Sequence, residues 1–252
     1  MSDQPLQGKT ALVTGSSRNI GRAIAVAYAK AGANLVLNTL QDKSALDETV
    51  ADIEAAGAQY VTAICDIVDP TSVNDMVKAG QDAFGTIDIL VCNASSRGMV
   101  DFLELDYKSW RRVIDISLDG TYHLAQATLP GMIENGWGRI ITVGGISWHV
   151  GLKRRAHNLA GKAGLTGLTR ALAAEFGDRG ITANSISPGH IDTVRPASAG
   201  TRPPQAANTP APVGRTGHVD EIASAALFLA DPKQGFITGQ IIHVNGGYYM
   251  GT

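Results

Sequence analysis

Short runs rich in Val, Ile, Leu and Ala alternate with longer stretches of helical periodicity along all 252 residues of the chain. The short runs are Thr10–Thr14, Asn34–Asn38, Tyr60–Cys65, Ile87–Cys92, Arg139–Val143, Thr182–Ser187 and Gln240–Val244. Several are almost continuously apolar, as strands buried on both faces are. Between them, helical stretches are predicted at Gly21–Ala31, Lys43–Ala56, Asp106–Ile133, Arg155–Phe176 and Val219–Ala230. Another opens at Asp69-Pro70, a capping side chain followed by proline at the first helical position. Gly57 follows the Lys43–Ala56 stretch, where a helix favours glycine just past its end. This alternation predicts an α/β doubly wound parallel sheet of about seven strands, with helices on both faces. Glycine at 29 positions exceeds the usual share of roughly 7% and fits a sheet with tight turns.

Composition narrows the function classes. Lys and Arg number 21 against 23 Asp and Glu, a net charge of −2. There is no basic excess for nucleic acid. No apolar run approaches the ~20 residues of a membrane span. The first ten residues hold no basic or apolar leader segment, so no secretory signal is expected. Cys65 and Cys92 end apolar runs and read as free thiols in a reducing cytoplasm. Neither has a His at ligand spacing, and no metal site is expected. A single domain over 1–252 accounts for the pattern. Its one irregular stretch, 193–212, carries Pro196, Pro203, Pro204, Pro210 and Pro212. A long loop after a strand C-terminus suggests a flap over a ligand crevice.

The first strand runs into Val13-Thr-Gly-Ser-Ser-Arg-Asn-Ile-Gly21. Gly15 permits a tight turn, Gly21 permits close helix–sheet packing, and the free N–H groups of the helix start favour a pyrophosphate. This turn resembles the Thr-Gly-x-x-x-Gly-x-Gly of the short-chain dehydrogenase/reductase family, with Asn19 at the middle glycine. Asn tolerates positive φ better than most residues. The resemblance spans the chain. It includes Cys65-Asp66-Ile67, Cys92-Asn93-Ala94-Ser95 and Asn184-Ser-Ile-Ser-Pro-Gly189-His-Ile-Asp-Thr193. Pro212–Gly217 and Ile237–Gly247 are similar to ketoacyl-reductase-like members.

The resemblance implies a Rossmann-like fold, a small-molecule substrate and a homo-oligomer, tetramer or dimer, built through the two long helices and the last strand. It implies a cofactor site formed by Gly15, Ser17, Arg18, Asn19, Ile20, Gly21, Asn38, Thr39, Asp66, Ile67, Asn93, Ala94, Lys162, Pro188, Gly189, Ile191 and Thr193. An NAD-binding chain places an acid at the end of the second strand. Here Asn38-Thr39 stands there, and Arg18 lies in the turn, where a guanidinium can fork onto a 2′-phosphate. NADP(H) is therefore favoured over NAD(H).

The family's redox site uses Asn, Ser, Tyr and Lys. Aligned through Asn158-Leu-Ala-Gly-Lys162, only Lys162 is retained. Asn158 stands at the tyrosine, Gly145 at the serine and Ser117 at the helix asparagine. Asn has no titratable proton, so Asn158 cannot serve as a general acid. His149, His157 and His190 are candidate donors, and Ser147 a candidate for the missing serine. Arg155, Asn158 and Lys162 fall at i, i+3 and i+7. On one helix face they would suit a carboxylate or other anion; an exposed basic helix start is the alternative. Three functions stay open: an NADP(H)-linked oxidoreductase with a non-standard acid/base residue, a non-redox lyase, hydratase or isomerase, and a non-catalytic NADP(H)-binding protein.

Overall fold

The computed structural model describes residues 4–96, 98–194 and 211–251. Most of the predicted 193–212 flap lies outside the described residues.

The chain runs β1 (Thr10–Val13), α1 (Asn19–Lys30), β2 (Asn34–Thr39), α2 (Lys43–Ala55), β3 (Tyr60–Ile64), α3 (Pro70–Phe84) and β4 (Ile89–Cys92). It continues through α4 (Tyr107–Ile114), α5 (Gly120–Glu134), β5 (Gly138–Val143), the short α6 (Ser147–Val150), α7 (Ala156–Phe176) and β6 (Ile181–Pro188). Helix α8 (Val219–Ala230) and strand β7 (Ile241–Val244) complete it. The strands form one parallel seven-stranded sheet in the order β3-β2-β1-β4-β5-β6-β7. The doubly wound reading is borne out.

Successive side chains of a strand point to opposite faces, and each strand feeds two cores. Val13, Leu35, Leu37, Ile89 and Val91 pack with Ile24 and Tyr28 of α1 and Ile222 and Leu229 of α8. Leu12, Val36, Leu90 and Ile140 pack with Met76 of α3, Leu124 and Met132 of α5, and Leu172 of α7. Wholly buried Tyr28 donates its hydroxyl to the Ala226 carbonyl at 3.0 Å, fixing α1 against α8. Burial holds that phenol well above its usual range. Local signals place the helix starts. Asp69 accepts from the N–H groups of Thr71 and Ser72 ahead of Pro70, and Asp42 accepts from Ala45 N–H at the start of α2.

The predicted Asp106–Ile133 helix is interrupted. A π-helical turn at Asp115–Asp119 separates α4 from α5. An inserted residue shifts the hydrogen-bond register while keeping the chain helical, so apolar periodicity alone cannot show it.

The order reverses between β1 and β4, where ligands sit in open α/β sheets. There the two strand ends are tied together. Asn93 donates its amide to the carbonyls of Thr14 (3.0 Å) and Gly15 (3.1 Å). The Thr14 hydroxyl accepts from the N–H groups of Asn93 (3.0 Å) and Ala94 (3.1 Å). A Cβ at Gly21 would overlap the Gly15 oxygen and sit 2.6 Å from Asn93 Nδ2. Gly21→Ala is therefore expected to destabilise the fold by about 1–3 kcal/mol, the usual overpacking cost, and to abolish dinucleotide binding. Denaturant unfolding and calorimetry check both effects, and an alanine variant that still binds would contradict the packing argument.

Candidate active site

Among the hollows formed by the described residues, two adjoin at the C-terminal end of the sheet. The larger, about 670 Å³, lies between the glycine turn, the ends of β2 and β3, and the loop after β4. Gly15, Ser17, Arg18, Asn19, Ile20, Gly21, Asn38, Thr39, Asp66, Ile67, Asn93 and Ala94 all line it. The smaller, about 210 Å³, lies between the ends of β5 and β6 and the start of α7. Lys162, Pro188, Gly189, Ile191 and Thr193 line that one. Ile20, Asn93 and Ser95 face both, so the hollows adjoin.

The larger hollow fits a dinucleotide. Arg18 at the N-cap of α1 makes no side-chain cap hydrogen bond, leaving first-turn N–H groups for a phosphate. Asn19 adopts a φ of 51°, the turn geometry that a glycine would supply. Its carboxamide also pairs with Val194, donating to the carbonyl and accepting from the N–H, both at 2.9 Å. No sequence spacing signals that contact, 175 residues away.

Other side chains are already engaged. Arg18 forms an ion pair with Asp42, which also lines the hollow. Asp66 accepts from Val68 N–H at 3.1 Å and pairs with Arg112 at 2.7 Å. Asn38 is buried. Its amide donates to the Cys65 carbonyl at 3.2 Å, and its oxygen accepts from Gly15 N–H at 3.4 Å. Asn38 thus ties β2 and β3 to the turn. Sequence reasoning missed Asp42 and Arg112. Asp42 was visible only as a residue preceding a helical stretch, and Arg112 only as half of the Arg111–Arg112 pair.

In the smaller hollow Lys162 is buried and donates to the Val143 carbonyl at 2.6 Å. Asn158, one turn earlier, donates to the Ser96 carbonyl at 3.2 Å. Gly145 lines the same wall, and a Cβ built on it meets nothing within 4 Å. Arg155, Ser147 and His190 also line the hollow. Arg155 is the residue before α7 and has a non-helical backbone (φ −132°, ψ 25°), so helical spacing does not place it on the face of Asn158 and Lys162, although all three line the hollow.

The remaining candidates stand elsewhere. Ser117 lies within the π-helical turn and lines neither hollow. Its buried Oγ has no hydrogen-bond partner among the described residues and sits beneath Gly161. His157 is buried and turned away from the hollow, its Nε2 beside Gly98. His149 joins a ring cluster, with centroids 3.7 Å from Trp148, 4.8 Å from His243 and 4.6 Å from Tyr249. Among the described residues His190 is the only imidazole lining the hollow, and its ring lies 4.7 Å from Tyr248.

A family model described as enoyl-(acyl carrier protein) reductase matches residues 15–249. The chain belongs to the short-chain dehydrogenase/reductase family. It is 38% identical over 242 residues to the BbsD subunit of (2S)-((R)-hydroxy(phenyl)methyl)succinyl-CoA dehydrogenase from Thauera aromatica, covering 96% of this chain and 97% of that one. It is 37% identical over 246 residues to the 3-oxoacyl-(acyl-carrier-protein) reductase FabG of Escherichia coli K12, covering 97% and 98%. A crystal structure of a short-chain type dehydrogenase/reductase from Mycobacterium marinum superposes with a TM-score of 0.86 at 31% identity, covering 98% and 97%. A short-chain dehydrogenase/reductase, this chain is similar along its whole length to oxidoreductases.

Burial holds His149, His157 and His243 below the ordinary imidazole value. His243 lowers His149 further, and Arg155 lowers His157 further. The unfolded chain therefore binds more protons than the folded one as pH falls below about 6.5. Stability is full above that pH and declines as pH falls through the window down to the lowered folded-state values. Melting temperatures from pH 8 to pH 5 are expected to fall on the acid side, and less steeply in a His149→Phe/His243→Phe variant. A melting temperature indifferent to pH would contradict this.

Proposed function

We propose that the protein is an NADP(H)-linked oxidoreductase acting on a small carbonyl or alcohol substrate with a non-standard acid/base residue. The observation that carries this reading is Lys162, its amine held at the wall of a cavity that adjoins the dinucleotide hollow. The names of the relatives, a 3-oxoacyl-(acyl-carrier-protein) reductase and a hydroxy(phenyl)methylsuccinyl-CoA dehydrogenase, support a carbonyl–alcohol substrate. The nicotinamide supplies or accepts the hydride. The turn of Gly15 to Gly21 binds the pyrophosphate, Lys162 the ribose, and the strip of Pro188, Gly189, Ile191 and Thr193 the nicotinamide end. Asn158 offers the substrate oxygen a polar neighbour but no proton. We assign proton transfer to His190, the one imidazole among the described cavity-lining residues.

The preference for NADP(H) rests on Arg18 and on Asn38-Thr39 in place of an acid. Asp42 competes with a 2′-phosphate for Arg18. We also propose a homo-oligomer, dimer or tetramer. Exposed Phe102, Leu103, Tyr107 and Tyr122 on and beside α4 and α5 support it. The free thiols Cys65 and Cys92 support a cytoplasmic location. No helix among the described residues is long and apolar enough to cross a membrane.

Three measurements test this. Deuterium from labelled NADPH should appear in the product of a carbonyl panel; transfer to none of the panel would overturn the redox reading. Arg18→Ala should weaken NADPH binding about 10- to 100-fold and NADH binding little, as expected from roughly 1.5–3 kcal/mol for hydrogen bonds to a charged group. Equal losses for both cofactors would remove Arg18 as the reader of the 2′-phosphate. Gly145→Ser/Asn158→Tyr should raise reduction of a 3-oxoacyl thioester about 10²–10⁴-fold, the usual contribution of a positioned general acid. A folded, cofactor-binding double variant without any gain would show that these two positions do not limit the reaction.

A further inference from the structure

We infer that Asn19 is a positioning residue for the cofactor: its carboxamide ties the phosphate-binding turn to the strip after β6, so that holding the pyrophosphate and seating the nicotinamide end are coupled. This deepens the dinucleotide reading proposed above and rests on it.

The contact is reciprocal. The Asn19 side chain donates to the Val194 carbonyl and accepts from the Val194 N–H, both at 2.9 Å, across 175 residues of chain. Residue 19 meets two demands at once. The turn holds it at a φ of 51°, a conformation open mainly to glycine, Asn and Asp. The strip presents a backbone donor and acceptor side by side, and a carboxamide matches both. Glycine carries neither group, and an ionised aspartate carries acceptors only.

The bridge stands where the two hollows meet. Asn19 lines the larger hollow, and the next residue, Ile20, lines both. Thr193, the neighbour of Val194, lines the smaller. The clasp is thus one residue removed from the joint that a dinucleotide spanning both hollows would cross.

The strip has a separate anchor at its other end. Gly217 N–H donates to the His190 carbonyl at 2.9 Å, and Asp192 N–H donates to the Gly217 carbonyl at 2.8 Å. These bonds hold the backbone as far as residue 192. Beyond them the Val194 side chain is 75% exposed, so apolar packing does little there and the Asn19 carboxamide supplies the hold. Thr193 lies between the two anchors. A pyrophosphate that orders the turn orders the Asn19 side chain, and through it the backbone beside Thr193. The nicotinamide end then binds to a wall whose ordering cost is already met.

Asn19→Gly separates the two roles, because glycine keeps the turn and deletes the clasp. Calorimetry compares NADPH with 2′-phospho-ADP-ribose, the same molecule without its nicotinamide. Asn19→Gly should weaken NADPH binding about ten-fold and binding of the fragment less than about two-fold, as expected from one or two net hydrogen bonds felt only at the nicotinamide end. Amide exchange at Val194, measured without cofactor, should speed up in Asn19→Gly, while exchange in β1 and α1 stays as in the wild type. Equal losses for NADPH and the fragment would show Asn19 acting through the turn alone and would overturn the inference. Unchanged exchange at Val194 would overturn it too. If the wild type binds neither compound, the dinucleotide reading fails and takes this inference with it. If wild type and variant bind both compounds alike, the dinucleotide reading stands and only this inference fails.

Discussion

The close approach of Gly21, Gly15 and Asn93 is the contact on which the rest of the crevice depends. A Cβ at Gly21 would run into the Gly15 oxygen, so helix α1 can begin directly against the turn only because residue 21 has no side chain. That placement points the first-turn N–H groups of α1 into the larger hollow. The carbonyls of Thr14 and Gly15 are claimed by the Asn93 amide, so the end of β4 is fixed relative to the end of β1. Everything that follows β4, including Ser95 on the shared wall of the two hollows, inherits its position from this junction.

Charge is distributed differently in the two hollows. The larger contains balanced pairs, Arg18 with Asp42 and Arg112 with Asp66. The side chains of both pairs are about a third exposed, so neither pair contributes much to stability. They set instead what a ligand must displace: a phosphate reaching Arg18 competes with a carboxylate already there. The smaller hollow has two cations and no acid among its described lining residues.

The fold was legible because it depends on local signals. Apolar runs marked the strands within a residue or two, and Asp69-Pro70 marked the start of α3. The residues expected on the cofactor side gather around two adjoining hollows because they lie on short contiguous motifs, Val13–Gly21 and Pro188–Thr193, which the topology carries to one end of the sheet. What was not legible depends on distance along the chain. Arg18 meets Asp42, Asn19 meets Val194, and Asn38 is used up between β2, β3 and the turn. His149 and His157 carried the right chemistry in the sequence, but ring packing on Trp148 and Tyr249 takes the first away from the cavity, and helical rotation turns the second toward Gly98. The π-helical turn around Ser117 has no pattern that distinguishes it from ordinary helix.

Gly145 and Asn158 stand differently in the wall of the smaller hollow. At Gly145 open space stands where a Cβ would project, but the backbone φ of 157° is one that residues with side chains rarely adopt. At Asn158 a side chain is present but holds the structure together, joining α7 to the loop after β4 through the Ser96 carbonyl. A tyrosine hydroxyl carries its proton at the end of a long rigid ring, whereas a carboxamide is short and cannot release one. His190 on the strip after β6 and Arg155 at the head of α7 line the same hollow as Asn158.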